Sequence, residues 1–400
     1  MMLSRISVYA EKGFEVLFPL FLFSSAIFCG YTRVNNLFHL SALCLLGMLA
    51  GNPVLRRRLF NDRRFNTGLS LTALMLGYFC LTTLWSAKPN DLVSDLTHAL
   101  YLLLFMIMHR SMVLQGHRSI ALWAVAAGMM VLVALTFLTV NTQTILSNRL
   151  TAGFFGAPAN VIDLAGYFAL GIFMCLIIMR DTGARWLYLP VAVLLLALLL
   201  TQSRGPLLSL LCALAVLLTL RSSVRRRHLV AVALIGVGVP TLLFMTRFGD
   251  IFLQRMANGY QQSFIRFGIW RHTLELAAQK PFFGWGLDEQ LSFINLLGDS
   301  ITTTHSLYLA TLLKGGAAGA LLLALVISYG LIMAKRQCER HQGLEGALFL
   351  FAVGFYLTQG MFIIGNPNVA WYLFWFPLAM VLTLPSPAPQ TEVADCPRRC

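Results

Sequence analysis

Three residues in this sequence have the type and setting to handle an anion and a hydroxyl: Arg204, Arg266 and His305. Arg204 stands in Thr201-Gln-Ser-Arg-Gly-Pro206, a tight turn between two apolar runs with no acidic residue near it in sequence. An arginine at the rim of an apolar run is costly, which makes it a functional candidate by default. Arg266 lies beside Phe264, Phe267, Trp270, Leu274 and Ala277, a stripe at helical spacing, and has no carboxylate three or four positions away. Its planar fork of donors matches a phosphate. Arg271, by contrast, has Glu275 one turn later as a local ion-pair partner. His305 directly precedes an apolar run, and an imidazole that titrates near neutrality suits a general base for a hydroxyl. Each residue also has a plainer role available. Arg204 can contact lipid headgroups, Arg266 can snorkel or stack on Trp270, and His305 can be an interfacial histidine bonded to a backbone carbonyl. On spacing alone the plainer role is slightly favoured for Arg266 and more clearly for His305.

The elements that must position these residues follow from composition. The chain has 400 residues, 58% of them hydrophobic and 12% charged. That charge share is about half the usual one, and the apolar residues exceed what a single soluble core can hide. A soluble globular protein, a disordered chain, a disulfide scaffold and a coiled coil are all excluded, leaving a polytopic membrane protein. Apolar runs long enough to span recur at 14–32, 34–54, 66–86, 92–109, 119–140, 162–179, 186–202, 206–220, 229–246, 306–333, 344–364 and 370–384. They predict an all-α bundle of about twelve transmembrane helices. The runs are continuously apolar and do not alternate, so a barrel is excluded.

The net charge of +14 is a matter of position rather than of sum. With a cytoplasmic N-terminus, twenty of the 30 Lys and Arg residues fall on the cytoplasmic side, including Arg56–Arg58, Arg110, Arg118, Arg180 and Arg225–Arg227. The positive-inside rule then places both termini in the cytoplasm, and the basic clusters are topology signals and lipid contacts rather than a nucleic-acid surface. The first span reads as a retained signal anchor. No outer loop carries an Asp-x-Asp pair or a His/carboxylate cluster at metal spacing, and no phosphate-binding glycine loop occurs on the cytoplasmic side. Neither a metal nor another cofactor is therefore expected. Acidic residues within the spans are almost absent, Asp163 being borderline, which argues against an ion-coupled transporter.

The chain divides into 1–246 with nine spans, an outer loop over 247–305, three spans over 306–384 and a Pro-rich polar tail over 385–400. A structureless outer loop of that length is improbable, so it is expected to be folded and functional. Tyr260 to Lys280 reads as a helix ended by Pro281. A second, short amphipathic helix is expected with Leu287, Leu291, Ile294 and Leu297 on one side, stopping at Gly298.

The order of these pieces is similar to a known pattern. Arg266-Phe-Gly-Ile-Trp270, then Pro281-Phe-Phe-Gly-Trp-Gly286, then His305-Ser306 with Leu309 and Gly315-Gly316, resembles the O-antigen ligase/polymerase superfamily. Ser203-Arg204-Gly205 resembles that family's Ser-Arg-Gly turn, Gly153-Phe-Phe-Gly156 with Asn160 its Gly-x-x-Gly…Asn loop, and Trp85-Ser86 its Trp-Ser pair. Ser306 stands where an Asn more commonly follows the histidine. The match runs from about residue 80 to 320.

The resemblance implies a GT-C-like glycosyltransferase with a periplasmic active site in the bacterial inner membrane. Its donor would be O-antigen linked to undecaprenyl diphosphate, and its acceptor a sugar hydroxyl of lipid A-core. His305, Arg266 and Arg204 would then be catalytic, with Arg271, Trp270, Ser306 and Asn160 also meeting substrate. An O-antigen polymerase and a protein O-oligosaccharyltransferase share this chemistry. From a different class, a lipid-linked glycan transporter would need inverted repeats or a charged translocation path, and neither is evident.

Overall fold

The structure is a computed structural model that describes residues 2–29, 31–86, 92–140, 149–220, 259–294, 300–339, 342–360 and 362–383. The expected span 229–246, the first part of the outer loop, the end of the second amphipathic helix, the Phe264 side chain and the tail fall outside these residues. The described helices are α1 (Met2–Ile27), α2 (Asn35–Gly51), α3 (Pro53–Phe60), α4 (Arg63–Thr82), α5 (Leu92–Leu114) and α6 (Arg118–Thr139). They continue with α7 (Val161–Thr182), α8 (Tyr188–Leu200), α9 (Arg204–Thr219), α10 (Gly259–Gln279), α11 (Leu307–Cys338), α12 (Gly343–Phe355) and, after a π-turn over Trp371–Trp375, α13 (Phe376–Thr383).

Six stretches among the described residues are long and apolar enough to cross a membrane: Thr32–Gly51, Arg63–Trp85, Leu92–Leu114, Arg118–Thr139, Val161–Thr182 and Leu307–Cys338. Arg185–Leu200, Arg204–Thr219, Gly343–Phe355 and Trp371–Thr383 are apolar but shorter. The protein is an all-α, multi-pass membrane protein. Six helices meet the length of about 20 residues that a bilayer asks for, against about twelve expected.

Local signals set the helix ends. Asn52 accepts from Leu55 N–H to cap α3, with Pro53 at its first position, and Asp62 accepts from Arg64 N–H to cap α4. Gly183, at φ 74°, closes α7 by donating to Met179 O. Every side chain from Leu164 to Met179 is buried, so α7 is the centre of the bundle, apolar and enclosed all round. Around Trp371, the rings of Phe21, Phe38 and Phe105 pack at 5.0–6.1 Å, joining α1, α2 and α5 to the last helices.

The two ends of the bundle are built differently. At one end Glu345, fully buried in the first turn of α12, receives both Oε atoms' worth of hydrogen bonds from Arg180 (2.7 Å each) and a further one from Arg118. Arg118 also pairs with Asp181 at 2.7 Å. Nearby, Arg110 is buried, donates to Leu59 O (3.1 Å), pairs with Asp62 (3.3 Å) and lies 4.6 Å over the Phe65 ring. These arginines, counted from the sequence as topology signals, are also staples between helices. The opposite end carries the outer loop, Asn160, Arg204 and His305. Removing one partner of a buried ion pair strands the others, at about 3–5 kcal/mol. Glu345→Ala is therefore expected to lower thermal stability in detergent sharply, while Glu275→Ala, which breaks the exposed Arg271 pair, leaves the melting temperature nearly unchanged.

Candidate functional site

The site begins with a broken helix. Inside α11, Gly316 adopts φ 60°, ψ −161°, so the helix is interrupted one residue after Gly315. The backbone groups freed there need partners, because water is scarce at this depth. The turn Pro281–Gly286 supplies them. Trp285 N–H donates to Leu313 O and Gly286 N–H to Lys314 O, both at 2.9 Å. In return Ala317 N–H donates to Pro281 O (2.8 Å) and Ala318 N–H to Phe282 O (3.1 Å). Gly284 and Gly286 sit at φ 68° and 102°, where a side chain is disfavoured. A Cβ at Gly284 would also lie 2.5 Å from Lys314 O and Gly316 N. One at Gly286 would lie 2.7 Å from Ser86 Cα, so Trp85-Ser86 is the seat of this clasp. Tyr78 OH on α4 donates to Gly315 O at 2.6 Å. Three stretches far apart in the sequence thus form one backbone knot.

The clasp corrects one expectation. No second amphipathic helix follows Gly286 in the described residues. Instead Phe293–Ile294 pairs antiparallel with Ser300–Ile301 in a two-residue-long hairpin. The Lys314 ammonium takes the carbonyls of Leu287 and Glu289, the acceptors a helix would need for its first turn. Without that turn, nucleation fails.

The helix α10 is where its periodicity placed it, ending before Pro281. Ile269, Thr273 and Ala277 are buried, and Ile269 forms a small core with Leu291 and Leu313 of α11. Phe267 and Leu274 are 61% and 49% exposed. Phe267 and Leu274 of the stripe therefore point away from the protein, and Phe282 and Phe283 are exposed as well.

This packing fixes the segment before α11. Trp270 Nε1 donates to Thr304 O at 3.1 Å. Thr304 Oγ1 donates to Ser306 O (2.7 Å) and accepts from Ser306 N–H (3.3 Å), while Leu307 N–H donates to Tyr356 O (3.1 Å). Between these anchors His305 is held at φ 48°, a left-handed conformation rare for a residue with a side chain. Burial, and then the charge of Arg266, push the His305 imidazole below its usual pKa. Burial likewise lowers the pKa of Arg266. No hydrogen bond or ion pair of Arg266 with a carboxylate is found among the described residues. His305 also faces the side chain of Gln359, which favours its protonated form. Gln359 is 4% exposed, donates from Nε2 to Asp163 Oδ1 at 3.1 Å, and has a buried oxygen that makes no full hydrogen bond. A loose contact of this kind is common in a site awaiting substrate.

Arg204 reaches the same end by a second strained turn. Gln202 sits at φ 54°; it and His305 are the described non-glycine residues with positive φ. Arg149 clamps the turn, donating to Thr201 O (2.9 Å) and Ser203 Oγ (2.7 Å). Gly205 abuts Thr358, the neighbour of Gln359; a Cβ on it would lie 2.9 Å from Thr358 Oγ1. Arg204 itself opens α9 and is exposed. The structure therefore sets Arg266 against His305, and brings the Arg204 turn beside the Gln359 segment.

Residues 189–324 match the family model described as O-antigen ligase. The chain is also 27% identical over 316 residues to a protein named O-antigen ligase from Pseudomonas aeruginosa, covering 77% of this chain and 75% of that one. Over the stretch that carries the site the chain is thus similar to the O-antigen ligases. The matched stretch holds Arg204, Arg266, Trp270, Arg271, the clasp, His305 and Ser306.

The remaining expected residues divide by what they touch. Arg271 is 83% exposed and pairs with Glu275 at 2.9 Å, as its spacing foretold. Trp270 and the buried Ser306 shape the loop that carries His305. Asn160 caps α7 by accepting from Ile162 N–H (2.8 Å), and so places Asp163 in the first turn. Asp163, Gln359 and Arg149 were not anticipated. Asp163 had a signal, as a carboxylate at the rim of an apolar helix; Gln359 had none. Gly284→Ala is expected to break the clasp and abolish folded yield or activity. Gly77→Ala on α4, where a Cβ meets nothing within 4 Å, should be silent in the same melting and activity assays.

Proposed function

We propose that this protein is the ligase that transfers O-antigen glycan from undecaprenyl diphosphate to a sugar hydroxyl of lipid A-core, with inversion and without a metal. The observation that carries the proposal is a half-buried His305 held at φ 48° against Arg266, where burial first and that charge second favour the neutral imidazole. The acceptor hydroxyl gives its proton to His305 as its oxygen attacks the anomeric carbon. The bond from that carbon to the diphosphate oxygen breaks, and the electron pair leaves with the diphosphate. Arg266 and Arg204 stabilise the departing charge through forked hydrogen bonds, and a permanent guanidinium charge does this without Lewis-acid help. In-line attack inverts the centre.

The same reading extends to architecture. The bundle would be GT-C-like with about twelve spans, and multi-pass in the bacterial inner membrane with the His305 end in the periplasm. The amphipathic helix α10 would act as a lid, and the exposed Phe267, Leu274, Phe282 and Phe283 suit contact with the outer leaflet and the polyprenyl chain. The tail over 385–400 would lie in the cytoplasm. Arg271, Trp270, Ser306 and Asn160 would act near substrate, Trp270 by holding the His305 loop.

In a strain lacking its ligase, wild-type protein is expected to restore long-chain lipopolysaccharide. A well-expressed His305→Ala protein should lose about 10²–10⁴-fold in transfer rate; full restoration by that variant would refute the assignment. Transfer should survive excess EDTA. A strain without the protein should accumulate polymerised glycan on its lipid carrier; single repeat units would indicate a polymerase, and donor on the inner leaflet a transporter. Because His305 must be neutral to act, kcat/KM should fall as pH drops through its pKa, which lies below the usual value. Arg266→Ala removes the charge that lowers that pKa, so the acid limb of the residual activity should move to higher pH.

A further inference from the structure

A cavity of about 410 Å³ opens beside the His305 loop and is not used by the mechanism above. Its size is within the range of small-ligand pockets (~300–1,000 Å³). One wall is Ala310, Leu313 and Lys314 of α11; another is Leu287–Leu291, fixed there by the clasp. Asp95 and His98 of α5 and the segment from Phe362 to Asn368 close the rest, and Thr302–Thr304 lead from it to His305.

The lining selects a ligand class. Three carboxylates face the cavity, from Asp95, Asp288 and Glu289. Its one fixed cation, Lys314, is engaged by the carbonyls of Leu287 and Glu289. An anionic diphosphate is therefore disfavoured here, in contrast to the Arg266 side of His305. No group of three or more metal-ligating side chains forms among the described residues, so the carboxylates do not make a cation cage. What they can do is accept hydrogen bonds from hydroxyls. Gln290, Asn368 and three threonine hydroxyls add donors and acceptors, and Phe362 offers a ring to the apolar face of a sugar. A polyprenyl chain would find too many polar atoms, and Asp95, 8% exposed and bonded to Thr83 Oγ1 at 2.8 Å, shows that this wall is built rather than solvated.

We propose that this cavity is a sugar subsite, holding a neutral or amino-bearing glycosyl unit beside His305 while the diphosphate lies on the arginine side. The inference rests on the glycosyl-transfer reading, and names where its polyhydroxyl partner docks. That partner is either the acceptor's core sugar or the first sugar of the donor glycan.

The test is binding to the full-length wild-type protein in nanodiscs, one oligosaccharide at a time, so that no turnover is needed. One arm uses deacylated core oligosaccharide, the other glycan released from the lipid carrier. Each is repeated with Glu289→Gln, Asp288→Asn and Asn368→Ala, with monodisperse elution as the check on folding. At least a fivefold weakening in the core arm supports an acceptor subsite, and the same loss in the glycan arm a donor subsite. Unchanged binding in both arms, or no saturable binding to wild type, overturns the inference even if transfer is active. Saturable, variant-sensitive binding by a protein that transfers no glycan keeps the sugar subsite and overturns the ligase reading instead.

Discussion

The break in α11 at Gly316 is the constraint on which the His305 end of this protein depends. A helix interrupted within a membrane leaves backbone donors and acceptors that lipid cannot satisfy. Here the Pro281–Gly286 turn satisfies them by exchanging four backbone hydrogen bonds with α11. That exchange has consequences on both sides. It pins the C-terminal end of α10, so that Ile269 meets Leu313 and Trp270 meets the Thr304 carbonyl. It also aims Lys314 at the carbonyls of Leu287 and Glu289, which shapes the adjoining cavity. The His305 loop is therefore set by a backbone knot and not by contacts of its own side chain.

Charge is handled in opposite ways at the two ends. Around Glu345, two arginines and two carboxylates are nearly neutralised and hold helices together. Around His305, Arg266 is partly desolvated without a carboxylate among the described residues, and its field falls on an imidazole. A partly desolvated cation without a carboxylate partner is costly for folding and suited to an anion. Gln359, bonded to Asp163, also meets His305 and acts on it in the opposite sense to Arg266.

Much of this was legible beforehand, for identifiable reasons. The helices could be read because a membrane demands long apolar runs, and α10 because its pattern ends at a proline. The Arg271–Glu275 pair follows from a one-turn spacing. Which face α10 buries was left open, because periodicity marks apolar positions without saying whether protein or lipid covers them; Phe267 and Leu274 face outward while Trp270 packs inward. The helix expected after Gly286 failed because Lys314, more than twenty residues later, claims its carbonyls.

Composition determined by itself that the chain is helical and membrane-embedded, and the order of its motifs carried the resemblance to the O-antigen ligase superfamily, because these properties reside in local runs and short spacings. They singled out Arg204, Arg266 and His305 but could not say which of them meet. Only the tertiary structure set Arg266 against His305, joined Gln359 to Asp163, and turned the glycine motifs into a clasp. Those contacts link residues from 28 to 237 positions apart, and their partners are mostly backbone atoms, which every residue carries and no sequence pattern marks.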